Sequence, residues 1–156
     1  GKLNKADWRR ENINVFIKRV YAGIKEIKPN VKFGLSPFGI WRPGNPESIE
    51  GFDQYGQLFA DAKHWINEGW VDYWSPQLYW KISTIQQSFP VLLQWWKNEN
   101  LKNRHFWPGI NIDRENNELN SMEVINQIMI IRGMLPDSPG NLCWSVAPIL
   151  KYKELA

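Results

Sequence analysis

The sequence predicts an α/β chain of four helix-strand units with parallel strands, and three observations predict it. Segments with helical apolar spacing alternate with short apolar runs, and the runs begin near residues 31, 71, 105 and 141. Their separations of roughly 35 to 40 residues suit βα units joined by right-handed crossovers. A complete (β/α)8 barrel needs about 250 residues, whereas this chain has 156 and about half the strands. Two architectures satisfy this count: an open four-stranded α/β domain, or the second half of a barrel. Either is a single domain over residues 1–156.

From Asp7, a plausible cap, the residues Ile13, Phe16, Ile17, Val20, Ile24 and Ile27 recur at helical spacing, and Lys28-Pro29-Asn30 ends the helix. Val31 to Phe38 reads as a buried strand, with Gly34 and Ser36 on one face and Phe33 and Leu35 on the other. After the Gly/Pro-rich loop GIWRPGNPESIEG, Tyr55 to Glu68 resumes helical spacing through Leu58, Phe59, Ala62, Trp65 and Ile66, and Gly69 closes it. Val71 to Leu78 is the second strand. Ser88 and Pro90 suit a helix start, which makes Val91 to Asn100 helical, and His105 to Ile112 is the third strand. Asn120 with Glu123 forms a capping-box pattern for a helix to about Leu135, broken by Pro136, Pro139 and Gly140. Asn141 to Val146 is the last strand, and Ile149 to Ala156 starts another helix.

With 43% hydrophobic and 22% charged residues and a mean hydropathy of -0.48, the composition is that of a globular chain long enough for one core. Ten tryptophans stand out, because ordinary usage supplies roughly two in this length. Some of those rings are expected to face a ligand. The net charge of +3 is scattered, with no basic run or nucleic-acid signature, so no nucleic-acid partner is expected. The single Cys143 excludes an internal disulfide framework and a cysteine zinc site, and its apolar neighbours Leu142 and Trp144 predict a buried thiol. No run approaches the ~18 apolar residues of a membrane span, and no signal-peptide pattern opens the chain. Gly1-Lys2-Leu3, without an initiator Met, reads as the start of an excised or processed piece.

In parallel α/β structures ligands sit where the βα loops leave the C-terminal ends of the strands. Four segments meet there: Ser36-Pro37-Phe38-Gly39-Ile40-Trp41-Arg42, Ser75-Pro76-Gln77-Leu78-Tyr79-Trp80, Gly109-Ile110-Asn111-Ile112-Asp113 and Trp144-Ser145-Val146. Rings beside Gln, Asn, Ser and Arg suit a carbohydrate, whose C–H faces stack while its hydroxyls hydrogen-bond. Trp41 and Trp80 are the leading stacking candidates. Gln77 and Tyr79 share a strand face with Tyr73 and Ser75, which puts them at a barrel mouth if that face points inward. Trp74 and Trp144 read as core, one of Trp95 and Trp96 packs on the sheet, and Trp8, Trp65, Trp70 and Trp107 read as packing or rim residues. His64 on a helix and His105 at a strand start make no histidine-rich metal site.

A glycosidase needs two carboxyl groups flanking the scissile bond. Asp113 and Glu115 follow the third strand, and Glu47, Glu50 and Asp53 lie in the first long loop, but none ends a strand with an obvious partner. Asp72 is at the wrong end of its strand and reads as a structural contact. No G-x-S-x-G elbow, phosphate loop or dinucleotide fingerprint is present, so no cofactor is expected. The residues alone describe a sugar cradle better than a catalyst.

DWRRENIN, VKFGLSPFGIWRPG, GWVDYWSPQLYW and the tryptophan pair of LLQWWKN resemble the glycosyl-hydrolase-like family 10, bacterial proteins with a (β/α)8 barrel, over Asp7 to about Trp144. The resemblance implies the second half of the barrel and a substrate cleft lined by Ser36, Phe38, Trp41, Arg42, Gln77, Tyr79 and Trp80. The family's aspartate-rich G-I-H-F-D-D-Y-F motif, which looks like its catalytic centre, belongs to the upstream half, and nothing here matches it. Asp113 is then at most an assistant, Asn111 a further hydroxyl contact, and this piece is expected to be inactive alone. The resemblance also implies an exported, often lipoprotein, bacterial parent of the cell envelope acting on glycan strands such as peptidoglycan. A carbohydrate-binding module or a protein-interaction domain are the alternative readings. An isolated half-barrel exposes two sheet edges and the apolar interior that the other half would cover, so self-association or local disorder at those edges is expected.

Overall fold

The computed structural model describes residues 2–113, 121–138 and 140–151. Helix α1 (Lys5–Ile27) starts ahead of the predicted Asp7 cap, because the Asn4 side chain accepts from Asp7 N at 2.9 Å and caps it instead. Asp7 sits in the first turn, where a carboxylate suits the helix dipole, and pairs with Arg10. The order continues as β1 (Gly34–Leu35), α2 (Gln54–Gln57), α3 (Ala62–Glu68), β2 (Tyr73–Trp74), α4 (Phe89–Glu99), β3 (His105–Phe106), β4 (Gly109–Asn111), α5 (Ser121–Met134), β5 (Leu142–Trp144) and α6 (Val146–Lys151).

Every strand pairing is parallel. Gly34 faces Tyr73 and Tyr73 faces His105, while Gly109, Ile110 and Asn111 face Leu142, Cys143 and Trp144. Bridges from Phe38 to Gln77 and from Gln77 to Gly109 connect the two sheets. The strand segments therefore lie side by side in chain order, as in part of a TIM-barrel-like fold.

The regular ladders are shorter than the predicted strands, and in the first three rows prolines interrupt them. Pro37, Pro76 and Pro108 have no N–H to donate, but their carbonyls accept from Gln77 N at 2.9 Å, Gly109 N at 2.8 Å and Leu142 N at 3.1 Å. Each row thus loses a donor and keeps an acceptor for the next row. The predicted third strand is divided at Trp107-Pro108 into β3 and β4.

The predicted helix over Tyr55 to Glu68 is two helices. Asp53 caps α2 through Gly56 N, Phe59 takes φ 55°, and Asp61 caps α3 through His64 N. Gly69 closes α3 in the left-handed region, as expected. Helix α4 starts with Pro in its first turn after Ser88. The Asn120 half of the expected capping box and Pro139 lie outside the described residues. The predicted tail helix begins earlier, at Val146.

One face of the sheet packs on the helices. Trp74 and Phe106 are buried there, and the Trp74 ring lies 5.4 Å from that of Trp96 on α4, with Phe89, Leu92 and Leu93 completing a core of fully buried side chains. Asn14 on α1 accepts from the Trp65 indole N–H at 2.7 Å, tying α1 to α3. On the other face the Tyr73 ring crosses Gly34, where a Cβ would lie 2.2 Å away, and meets Trp107 at 5.2 Å. Ser36 and His105 are exposed.

Two expectations fail at the last row. Cys143 is an exposed free thiol and Trp144 is 60% exposed, so neither is core. The cause is position: β5 is the end strand of its sheet, and all three of its residues are exposed. At the opposite edge α1 leaves Val15, Phe16 and Ile27 exposed. No described helix is long and apolar enough to cross a membrane.

Asp72 is the structural contact expected at the base, accepting from Lys25 Nζ at 2.6 Å and Phe33 N at 2.7 Å. Burial pushes this carboxyl up, but the hydrogen bonds from Lys25 and Phe33 more than offset that and hold it below its ordinary value. A depressed folded-state pKa stabilises the fold above the unfolded value, about pH 4, and that contribution is lost as pH falls. Urea unfolding at pH 7 and pH 3 is expected to show Asp72→Asn destabilised mainly at pH 7. An equal deficit at both pH values would contradict this role.

Candidate functional site

The loop leaving β1 is held by side chains from two helices. Gln54, 1% exposed at the start of α2, donates Nε2 to the Phe38 carbonyl at 2.9 Å and the Ile40 carbonyl at 2.8 Å. The buried Trp96 indole N–H donates to the Gly39 carbonyl at 2.7 Å. Three consecutive carbonyls are thereby satisfied and the loop is fixed in place.

Gly39 sits at the closest approach of the first two βα loops. A Cβ there would lie 2.3 Å from the Gln77 carbonyl oxygen and 2.8 Å from the Trp80 ring. Only hydrogen fits, and this admits Trp80 to an edge-to-face contact with Phe38, 5.5 Å between centroids at 87°. Phe52 makes a similar contact on Phe38. Gln77 Nε2 donates to the Ser36 carbonyl at 3.1 Å and reaches its Oγ at 3.5 Å. The Tyr79 ring lies over Gly109, where a Cβ would be 3.3 Å away. Burial pushes the Tyr79 hydroxyl up, so it remains a protonated donor at neutral pH.

Ser36, Phe38, Gln77, Tyr79 and Trp80 thus gather at the C-terminal ends of the first two strands. Asn111, at the end of β4, is buried, and its Oδ1 accepts from Asp113 N at 2.8 Å. Asp113 is half-buried just beyond it.

Trp41 and Arg42 belong to a different cluster. The Trp41 indole N–H donates to Asp61 Oδ1 at 3.1 Å, and its ring stacks on Trp95 at 6.0 Å and 17° and meets Tyr55 at 5.6 Å. Lys63 lies 5.2 Å over the same ring. Arg42 lies 4.6 Å over Tyr55 and pairs with Asp53 at 3.6 Å. Asp53 and Asp61 are thereby occupied as helix caps and partners of this cluster. Glu47 and Glu50 are exposed on the first loop, and Glu115 lies outside the described residues.

Sequence reading missed Gln54 and Gln127, and gave Glu123 only as half of a capping box. Glu123 on α5 accepts from Ile82 N at 2.7 Å, and Gln127 donates to the Trp80 carbonyl at 3.0 Å. No local pattern marks amides and carboxylates that reach 14 to 47 positions along the chain to hold loop backbone. A groove of about 530 Å³ lined by Lys97, Arg104, His105 and Ser138 lies at the strand starts, opposite the end where ligands bind in such sheets. Among the described residues no group of three His, Cys, Asp or Glu side chains is placed to hold a metal ion.

The family model "Glycosyl hydrolase-like 10" matches residues 2–127, which include every residue of the strand-end group. The chain belongs to this family. It is similar to glycosyl hydrolase YngK of Bacillus subtilis (strain 168), 45% identical over 113 residues that cover 68% of this chain and 22% of that protein. It is also similar to glycosyl hydrolase DigH of Escherichia coli (strain K12), 40% identical over 97 residues covering 60% of this chain and 22% of that protein. The chain thus spans less than a quarter of the length of these curated relatives.

Proposed function

We propose that the chain supplies the glycan-binding side of a glycoside hydrolase cleft as the second half of a (β/α)8 barrel. The observation that carries this reading is the edge-to-face pair of Trp80 and Phe38 beside Gln77 and Ser36, with the Tyr79 ring over Gly109, at the strand C-terminal ends. Rings offer faces to sugar C–H groups, and amide and hydroxyl groups match sugar hydroxyls. In this reading the reaction is acid/base hydrolysis through an oxocarbenium-like transition state, with the principal carboxylates outside this chain and Asp113 assisting. The piece alone is inactive.

The apolar residues exposed along α1 and the end strand β5 support the half-barrel reading, since both are surfaces that further barrel units would cover. On its own, the chain is expected to self-associate through those edges. The substrate is glycan strands, with peptidoglycan the leading candidate, and the parent is an exported envelope lipoprotein.

Calorimetric titration with peptidoglycan-derived and other oligosaccharides tests the binding role. Trp80→Ala is expected to weaken binding about tenfold, equivalent to about 1.4 kcal/mol. Trp41→Ala is expected to cost mainly stability, because its ring is stacked on Trp95. Unchanged sugar affinity in folded Trp80→Ala would remove the Trp80 ring from the cleft.

A further inference from the structure

We propose that Glu123 and Gln127, one turn apart on α5, are positioning residues that set the Trp80 indole at the strand-end platform. The value of that platform rests on the glycan-binding reading above, whereas the positioning itself does not. Gln127 Nε2 donates to the Trp80 carbonyl and to Glu123 Oε1, each at 3.0 Å. Glu123 Oε1 also accepts from Ile82 N at 2.7 Å. The backbone on both sides of Lys81 is therefore held from α5 by two linked side chains. From the other direction Gly39 gives the Trp80 ring room and Phe38 meets its edge. The ring is located between these two constraints.

Gln127 is 1% exposed, and its Oε1 is buried with no hydrogen-bond partner among the described residues. Both partners of its Nε2 are acceptors, which fixes the orientation of the amide. A half-satisfied buried amide is a poor device for stability, because an apolar side chain of similar size avoids the cost of the unpaired oxygen. Its gain lies in the bonds it donates, one of which reaches the residue that carries the platform ring. A carboxylate at Glu123 also suits the first turn of a helix, so charge and hydrogen bonding there have to be separated experimentally.

Heteronuclear NMR of the full 156-residue chain separates these roles. Glu123→Ala is expected to speed exchange of the Ile82 amide at least about tenfold, as loss of its side-chain acceptor would. It should also move the Trp80 indole resonance. Glu123→Gln keeps the acceptor without the charge and is expected to restore both signals. Gln127→Leu should move the Trp80 indole and lower the melting temperature only modestly, since it leaves the Trp80 carbonyl and Glu123 Oε1 short of a donor while relieving the buried amide oxygen. Gln127→Met, which keeps the length and removes both donors, takes its place if the leucine variant does not fold. An unmoved Trp80 indole and an unchanged Ile82 exchange rate in folded Glu123→Ala would overturn the proposal, as would an unmoved indole in the folded Gln127 variant. If the indole moves as expected but wild type binds no sugar, the positioning stands and the glycan reading fails.

Discussion

Trp96→Ala is expected to cost about 3–5 kcal/mol of stability, the range for removing a fully buried large aromatic. The Trp96 side chain is completely buried, packs against Trp74 and Trp95, and donates to the Gly39 carbonyl. Alanine would leave a cavity between α4 and β2 and strip the Gly39 carbonyl of its donor, so core and loop should fail together. Urea unfolding gives the energy, and resonances of residues 38–41 report the loop. Trp96→Phe, which fills most of the volume but cannot donate, is expected to recover much of the stability while the loop resonances stay displaced. Recovery of both would show that the indole N–H contributes nothing to the site.

Gly39→Ala is the second large effect. A methyl group 2.3 Å from a backbone oxygen cannot be accommodated by rotating a side chain, so the first two βα loops must separate. A cost of about 3 kcal/mol, the upper end for overpacking, is expected, together with loss of the Trp80 contact and of sugar affinity. Gly23 on α1 is the control, since a Cβ there meets nothing within 4 Å. Gly23→Ala should stabilise the chain by about 0.5–1 kcal/mol through helix propensity. Equal effects at the two glycines would contradict the close approach at Gly39.

Much of the fold is legible in the sequence because apolar periodicity is local. The alternation of helices and parallel strands needs only the spacing of apolar residues and the punctuation of Pro29, Gly69 and Pro90. What escaped was settled by contacts distant in sequence. The division between α2 and α3 depends on Asp53 and Asp61 acting as caps, which an amphipathic pattern running through Phe59 conceals. Exposure of Cys143 and Trp144 depends on what covers the last strand, and an apolar triplet reads the same at an edge or in a centre.

The candidate site divides in the same way. The shared face of Gln77 and Tyr79 is legible from strand alternation, and Trp80 stands out because it follows the strand and precedes a polar residue. Trp41 looked equivalent, following a strand and preceding a polar residue, yet its ring packs on Trp95 and its N–H goes to Asp61. The difference lies in α3 and α4, which no pattern around Trp41 reveals. Phe38 and Trp80 meet because Gly39 lacks a side chain, and that reason appears only when the two loops are seen together.

In the proposed function the strand-end rings and amides bind glycan. The most direct measurement is a heteronuclear NMR titration of the chain with peptidoglycan-derived and other oligosaccharides. Saturable shifts centred on the Trp80 indole and the Gln77 side-chain amide, with Tyr79 following, are the predicted result. Spectra unchanged at millimolar sugar throughout the series, or shifts confined to residues away from this group, would contradict it.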